Sequence, residues 1–508
     1  MTMTHAQAQG RAPASRYERR EQDWRNGAVV YQVLVDRFAP SADLDAKRHL
    51  YPAPKTLRAW HEAPRRGHYL DSHRLWSHEI DFWGGDLASL ASKLDHVQQL
   101  GADVLYLNPI CQAFTNHKYD AADHKAVSPE YGTRDDVRRL ADDLHRRGLK
   151  LVLDGAFNHM GRSAPLFRHA AQDPASPWRD WFVFGPDFPG GARSWWGAAN
   201  LPELNLENPA VRQHLYEAPD SVVRGWLRDG VDGWRLDVAF DIGIDLLQAL
   251  TQAAHAEKAG SLVVGEIPNY PQAWFSAVDG VLLFAIRQLL LGLAGGTLDG
   301  ATGGRMLTRI IDDAGVDNML KSWLYLDNHD TPRLASAVPD ERRRRMAQVL
   351  QFALPGSPLL YYGSEVGLTG RDDPEMRGPM RWDRVEQGHP QLPWTRQLVA
   401  LRRQRALKVG DHRPVTSREL LAFERHTDRV LETIIVVANP TPCEVTDLLL
   451  VANSLLMDGT PLVDLLGQVP PVVLRSALLP LTVPPHTVLV LKPQPQRDDG
   501  YSPYKRVR

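Results

Sequence analysis

Acidic, imidazole and guanidinium side chains recur in this sequence just after short apolar runs: Asp154 and His159, Arg235 and Asp237, Glu266, then Asn328, His329 and Asp330. Residues so placed end β-strands, and where parallel strands close into a barrel their ends open on one face, where catalytic side chains gather. Two carboxyl groups held ~5–5.5 Å apart can resolve a glycosidic acetal by double displacement: one attacks the anomeric carbon, the other protonates the leaving oxygen. Asp237 and Glu266, at the ends of neighbouring runs, suit those two tasks. Arg235 lies two residues before Asp237, hence on the same side of a strand, and is expected to hold that carboxylate ionised. Glu266 follows apolar residues 262–264 and is expected to be desolvated, its pKa raised so that it starts protonated. Asp330 is a third carboxylate, and His159 and His329 are expected to donate hydrogen bonds to sugar hydroxyls. Taken singly, each has a plainer reading. A strand-end Asp commonly caps a helix, and a lone His is more often a hydrogen-bonded structural imidazole.

The scaffold that would gather these groups is legible in the periodicity. Residues 28–38 form a short β-branched run bounded by Gly27 and Pro40, which predicts a buried strand. Residues 86–100 place Leu87, Leu90, Leu94 and Val97 on one helical face, with Gly101 as C-cap. A strand at 104–107 follows, then a helix at 133–147 capped by Thr133 and ended by Gly148, then a strand at 149–157. The alternation recurs through 211–227, 230–238, 244–257, 262–266, 323–326, 341–352 and 359–362. Repeated βα units imply a parallel sheet with right-handed crossovers, and their number suits a closed (β/α)8 barrel, the TIM-barrel form of the α/β class. The barrel is expected to span 28–396, interrupted after its third strand by a Pro-, Gly- and Trp-rich insertion at 158–205, a length typical of a functional excursion. Trp195 and Trp196 inside it read equally as sugar platforms or as the insertion's own core. Beyond a helix at 397–407, short apolar runs at 430–437, 444–450, 472–474 and 487–491 predict a small all-β domain over 397–493. Residues 1–27 are a polar leader, and 494–508 a tail expected to be loose.

Composition excludes several classes. Fifty-nine basic and 61 acidic residues leave a formal charge of −2, so no whole-molecule field gathers nucleic acid or an anionic membrane, and a neutral substrate fits. The two cysteines, Cys111 and Cys443, are too few for a disulfide framework or thiolate metal site, and unpaired thiols are expected. No apolar signal-peptide core opens the chain, and the apolar stretch 281–293 carries Arg287 and is shorter than the ~20 residues a span needs. A cytoplasmic location is expected, with no membrane partner. The basic run Arg342 to Arg345 reads as a solvated helix face.

Four segments in order resemble the α-amylase family of glycoside hydrolases: Asp154-Gly-Ala-Phe-Asn158-His159, Gly233-Trp-Arg235-Leu-Asp237, Gly265-Glu266 and Asn328-His329-Asp330. The resemblance covers the chain from Ala28 to the end of the small β domain. It implies Asp237 as nucleophile, Glu266 as general acid/base, Asp330 as transition-state stabiliser, Arg235 as partner of the nucleophile, and His159 and His329 as binders of glucose. It adds His117 and Tyr119, in a segment whose Tyr stacks on the sugar at the cleavage site, and Asp373 with Arg377, an Asp/Arg pair in a neighbouring loop. The insertion then corresponds to the family's B domain. Leu201-Pro-Glu-Leu-Asn205 and Phe82-Trp-Gly-Gly-Asp-Leu87 are similar to the neopullulanase, cyclomaltodextrinase and maltogenic amylase group. Two features depart from that group. The leader is expected to leave no room for its N-terminal β domain, and Phe240-Asp241 replaces its polar Asn-Glu pair. No cofactor is required by this reading. Calcium is the one metal the resemblance raises, at Asn158, with Asp180 and Asp187 of the insertion, or Asp43 and Asp45, as the available acids; a hard cation wants six or more oxygens.

The implied activity is retaining cleavage of α-glucosidic bonds, mainly α-1,4, in maltooligosaccharides, cyclodextrins or starch. The same carboxylates serve a transglycosylase with a sugar acceptor. A catalytically silent barrel used for binding or assembly is the alternative of another class. Linkage, substrate size and oligomeric state are not encoded legibly.

Overall fold

The computed structural model describes residues 14–495 and 501–507. Eight short strands form its centre: β1 (Val30–Val33), β2 (Val104–Leu107), β3 (Lys150–Gly155), β4 (Gly233–Leu236), β5 (Leu262–Gly265), β6 (Gly280–Val281), β7 (Trp323–Tyr325) and β8 (Ser357–Tyr361). All pair in parallel; β8 returns to β1 through Val30↔Leu359, and the bridge Leu282↔Trp323 closes the ring between β6 and β7. The fold is the expected (β/α)8 barrel. Strand period two splits the apolar residues into two layers. Val30, Val104, Tyr106, Val152, Val264 and Tyr325 fill the barrel's interior, while Tyr31, Leu105, Leu151 and Val263 face the surrounding helices.

The C-terminal region is all-β. Six strands pair in the order Asp411–Val415, Leu421–His426, Ile434–Asn439, Thr487–Pro493, Pro461–Asp464, Val472–Val473, and Val445–Leu450 pairs separately with Leu478–Val483. It has its own core around Ile435, Val437, Leu449, Leu479 and Leu489. Helices Gly300–Ala314 and Glu341–Ala353 of the barrel pack on its strands. The buried Arg402 fastens the lower rim: its guanidinium donates to the carbonyls of Gly27, Phe352 (3.1 Å), Leu354 (3.0 Å) and Gly356.

Several elements differ from the sequence reading. The run 28–38 is a strand only to Val33, then a helical turn, Val35–Phe38, because buried Asp36 accepts the backbone N–H groups of Trp83 and Gly84. The helix expected at 86–100 is two, Leu87–Ala91 and Leu94–Leu100, broken where the Ser92 hydroxyl donates to the Ser89 carbonyl. The leader's residues 1–13 lie outside the described residues, but Ser15 caps a helix, Arg16–Gln22, whose Arg20 bonds Asp317 (2.7 Å) and Asp411 (2.9 Å). In the tail, residues 496–500 and 508 lie outside the described residues, but Tyr504 is buried and its hydroxyl accepts from the Met457 N–H at 3.0 Å. Cys111 is buried and Cys443 exposed, and neither forms a disulfide.

Candidate active site

The strand ends β3, β4 and β5 deliver Asp154, Arg235 with Asp237, and Glu266 to one rim. The ladder continues one residue past the strands, Asp237 N–H to the Gly155 carbonyl (3.0 Å) and Glu266 N–H to that of Leu236 (2.9 Å), so both acids are fixed by backbone pairing. Arg235 is the hub. One of its terminal nitrogens lies 2.9 Å from Asp154 and 2.9 Å from Asp237, the other 2.8 Å from Glu266. A fork with fixed nitrogens thus sets the two carboxylates side by side.

Val238, immediately after Asp237, has φ +48°, a left-handed conformation that a β-branched residue rarely adopts. The turn aims its N–H at Glu266 Oε2, 3.1 Å away. Backbone strain held beside reacting groups is typical of sites built for function.

Asp330 and its neighbours form the opposite wall. Gln32 donates to His329 Nδ1 (2.9 Å), which leaves Nε2 to carry the proton toward Asp330 (2.9 Å) and the Tyr119 hydroxyl (2.5 Å). The Tyr119 hydroxyl in turn donates to Asp154 (2.8 Å), which also accepts from Tyr106 (2.5 Å). Arg377 bonds the His329 carbonyl (2.9 Å) and Asp330 (3.1 Å) and pairs with Asp373 at 3.3 Å. All ten residues singled out in the sequence lie in this region. His117 stacks on Tyr119, Tyr119 on His329, and His159 stacks on Trp195 of the insertion. Among the described residues, neither ring nitrogen of buried His159 has a hydrogen-bond partner.

The protonation pattern differs from the expectation for Asp237. Burial pushes its carboxyl well above the ordinary range against the opposing charge of Arg235, and the charges of Glu266, Asp154 and Asp330 act in the same direction as burial. Asp330 goes the other way: burial opposes its charge, but His329 and Arg377 hold it well below the ordinary value. Asp373, with His78 and Arg377 overcoming burial, is lowered to about 2. Burial lowers His159 to about 3, so it is neutral near pH 7.

Sequence reasoning missed Gln32, Tyr106, Val238, His78 and Glu79. Gln32 was signalled: it is the one amide in an apolar strand. Valine carries no signal for a left-handed turn, and His78 and Glu79 reach the site from a distant loop.

A model of the α-amylase catalytic domain matches residues 32–395. The chain belongs to the α-amylase family of glycoside hydrolases. It is 33% identical over 398 residues to neopullulanase 2 of Thermoactinomyces vulgaris, covering 75% of this chain and 63% of that one. It is 31% identical over 395 residues to the intracellular maltogenic amylase of Bacillus subtilis, covering 75% and 62%. The matched region thus spans less than two thirds of either relative. Among solved structures, the ligand-free cyclic α-maltosyl-(1→6)-maltose hydrolase of Arthrobacter globiformis superposes with a TM-score of 0.77 at 27% identity, covering 93% of this chain and 99% of that one.

Among the described residues, the acids named with Asn158 for a calcium do not gather into a group of three or more. Asp180 and Asp187 are exposed, and the Asp180 carbonyl is taken by the amides of Asn205 (3.0 Å) and Asn208 (2.9 Å). Asp45 pairs with Arg48 (2.9 Å), and Asp43 is exposed. Among the described residues, no group of three or more His, Cys, Asp or Glu side chains could hold a metal ion, and no helix is long and apolar enough to cross a membrane.

Proposed function

We propose that this chain hydrolyses α-glucosidic bonds, mainly α-1,4, in maltooligosaccharides, cyclodextrins or starch, with retention at the anomeric carbon. The observation that carries this reading is Arg235 holding Asp237 and Glu266 on adjacent nitrogens of one guanidinium, a placement compatible with the ~5–5.5 Å spacing of retaining glycosidases. The cluster's excess negative charge supports a transition state in which positive charge builds on the sugar ring.

Asp237 attacks the anomeric carbon as the bond to the glycosidic oxygen breaks, and Glu266 gives its proton to that oxygen. Water then gives a proton to Glu266 while its oxygen bonds the anomeric carbon and releases Asp237. These steps need Asp237 charged against Arg235 when it attacks and a proton on Glu266 to give to the leaving oxygen. Asp330, held ionised by His329 and Arg377, binds the ring hydroxyls and opposes the growing positive charge. His329, whose Nε2 carries the proton, and His159, whose ring nitrogens have no partner among the described residues, serve the same hydroxyls. Tyr119 and His117 form the stacked floor, and Asp373 with Arg377 the far wall. The relatives' names support the substrate class, and the word intracellular in one of them supports a cytoplasmic location.

Two measurements test this reading. Proton NMR of the first product from maltotriose is expected to show the α-anomer before mutarotation; a β-anomer would exclude retention. Asp237→Asn is expected to lower kcat by roughly 10⁴-fold or more with an unchanged circular dichroism spectrum, and near-normal turnover would remove Asp237 from its role.

A further inference from the structure

Residues 39–86, between the turn after β1 and the next helix, make a connection far longer than the ~4–6 residues usual in such barrels, and long ordered loops are commonly functional. This one is built, not slack: Tyr51, Leu75, Ile80 and Phe82 form a separate apolar cluster. From it projects an antiparallel hairpin, Tyr69–Leu70 with Leu75–Trp76, followed by the turn Ser77–Ile80.

That turn grips the site from outside. The Gly67 N–H donates to His78 Nδ1 (3.1 Å), so His78 Nε2 carries a proton and donates it to Asp373 (3.0 Å). The Tyr119 N–H donates to His117 Nδ1 (3.1 Å), and by the same logic His117 Nε2 donates to Glu79 (3.1 Å). A line of contacts runs outward from the reaction centre: Asp330, Arg377, Asp373, His78, then the Trp76 ring, whose centroid lies 6.1 Å from that of His78. The opposite lip arrives at the same place. Gly190 of the insertion has φ +82°, and a methyl group added there would meet Arg74 Nη1 at 2.0 Å, so hairpin and insertion touch.

We propose that the 69–76 hairpin, braced on Asp373 through His78 and on the insertion through Arg74, closes one end of the cleft, so that of the substrates proposed above this enzyme takes the linear glucans, cuts from their non-reducing ends and releases short products. The direction rests on the hydrolase reading above. Glu266 protonates the leaving oxygen, so the reducing-side sugars leave past Glu266. Asp330, Arg377 and Asp373 follow β7 and β8, across the ring of strands from β4 and β5 that carry Asp237 and Glu266, so the non-reducing sugars are placed on that side, the end the hairpin covers. Trp76 and His78 are then specificity-determining residues.

The test compares two p-nitrophenyl maltoheptaosides, one free and one carrying an ethylidene block on its non-reducing glucose. The wild type is expected to cut the free substrate faster by roughly tenfold or more. Replacing residues 69–76 by Gly-Gly is expected to restore cleavage of the blocked substrate. Since that change removes Leu75 from the apolar cluster, Arg74→Ala/Trp76→Ala, which leaves Leu70 and Leu75 in place, is the second probe and is expected to move the ratio the same way. Equal cutting of both substrates by the wild type, or a ratio unmoved in both variants, would overturn the closure while leaving the hydrolase reading intact. A wild type that cuts neither these substrates nor maltotriose would instead remove the hydrolase reading, and the closure with it.

Discussion

Arg235 contacts three carboxylates, and the protonation of one of them, Asp237, decides when the site is competent. Burial first, then Glu266 and Asp154, raise Asp237, so the acidic limb of kcat/KM against pH is expected above the ordinary carboxylate value of ~4. Asp154→Asn removes one negative neighbour and frees Arg235 to favour Asp237. Both effects lower the Asp237 pKa, so the limb is expected to move to lower pH. A limb that stayed or rose would show that the charge of Asp154 is not what tunes the nucleophile. The principal side chains of this arrangement were legible because a barrel forces strand-end residues onto one face. The proton distribution was not: from sequence, Arg235 beside Asp237 predicts a lowered carboxyl, and only the packing shows how many other negative groups burial sets around it.

At the scale of elements, strands β2 to β5 could be read because an apolar run bounded by polar residues has few other fates in a βα repeat. β6 could not. Its two residues, Gly280–Val281, run straight into helix Phe284–Gly295, and a strand that short leaves no period to detect. The breaks at Asp36 and Ser92 arise from side chains that bond backbone groups, one of them on a segment remote in the chain. Arg402 shows the same principle at the lower rim, joining the start of β1 to the approach to β8. Arg402→Ala would strand several buried carbonyls, and a loss of at least about 3 kcal/mol is expected by urea denaturation. Arg402→Lys is expected to recover little, because an ammonium lacks the planar fork that reaches several carbonyls at once. A fully stable lysine variant would show that water can replace the guanidinium.

For the molecule as a whole, barrel and β domain share a continuous frame, and an imidazole on each side makes its stability depend on pH. His159 in the site and His412 in strand Asp411–Val415 are each lowered to about 3, chiefly by burial. A histidine whose folded pKa lies below its unfolded value of ~6.5 contributes stability that is complete above that value and is lost as pH falls toward the folded one. His412→Gln removes one such group and is expected to lose less Tm than the wild type between about pH 7 and pH 5. Identical slopes would place His412 in an already solvated setting. The insertion carries a feature with an optical consequence. Trp196 is 80% exposed with φ +47°, and it stacks on Trp195, which stacks on His159. An indole so placed emits from water when the cleft is empty, and a glucan laid over it would shift that emission toward the blue. Fluorescence would thus follow occupancy in a variant that turns nothing over.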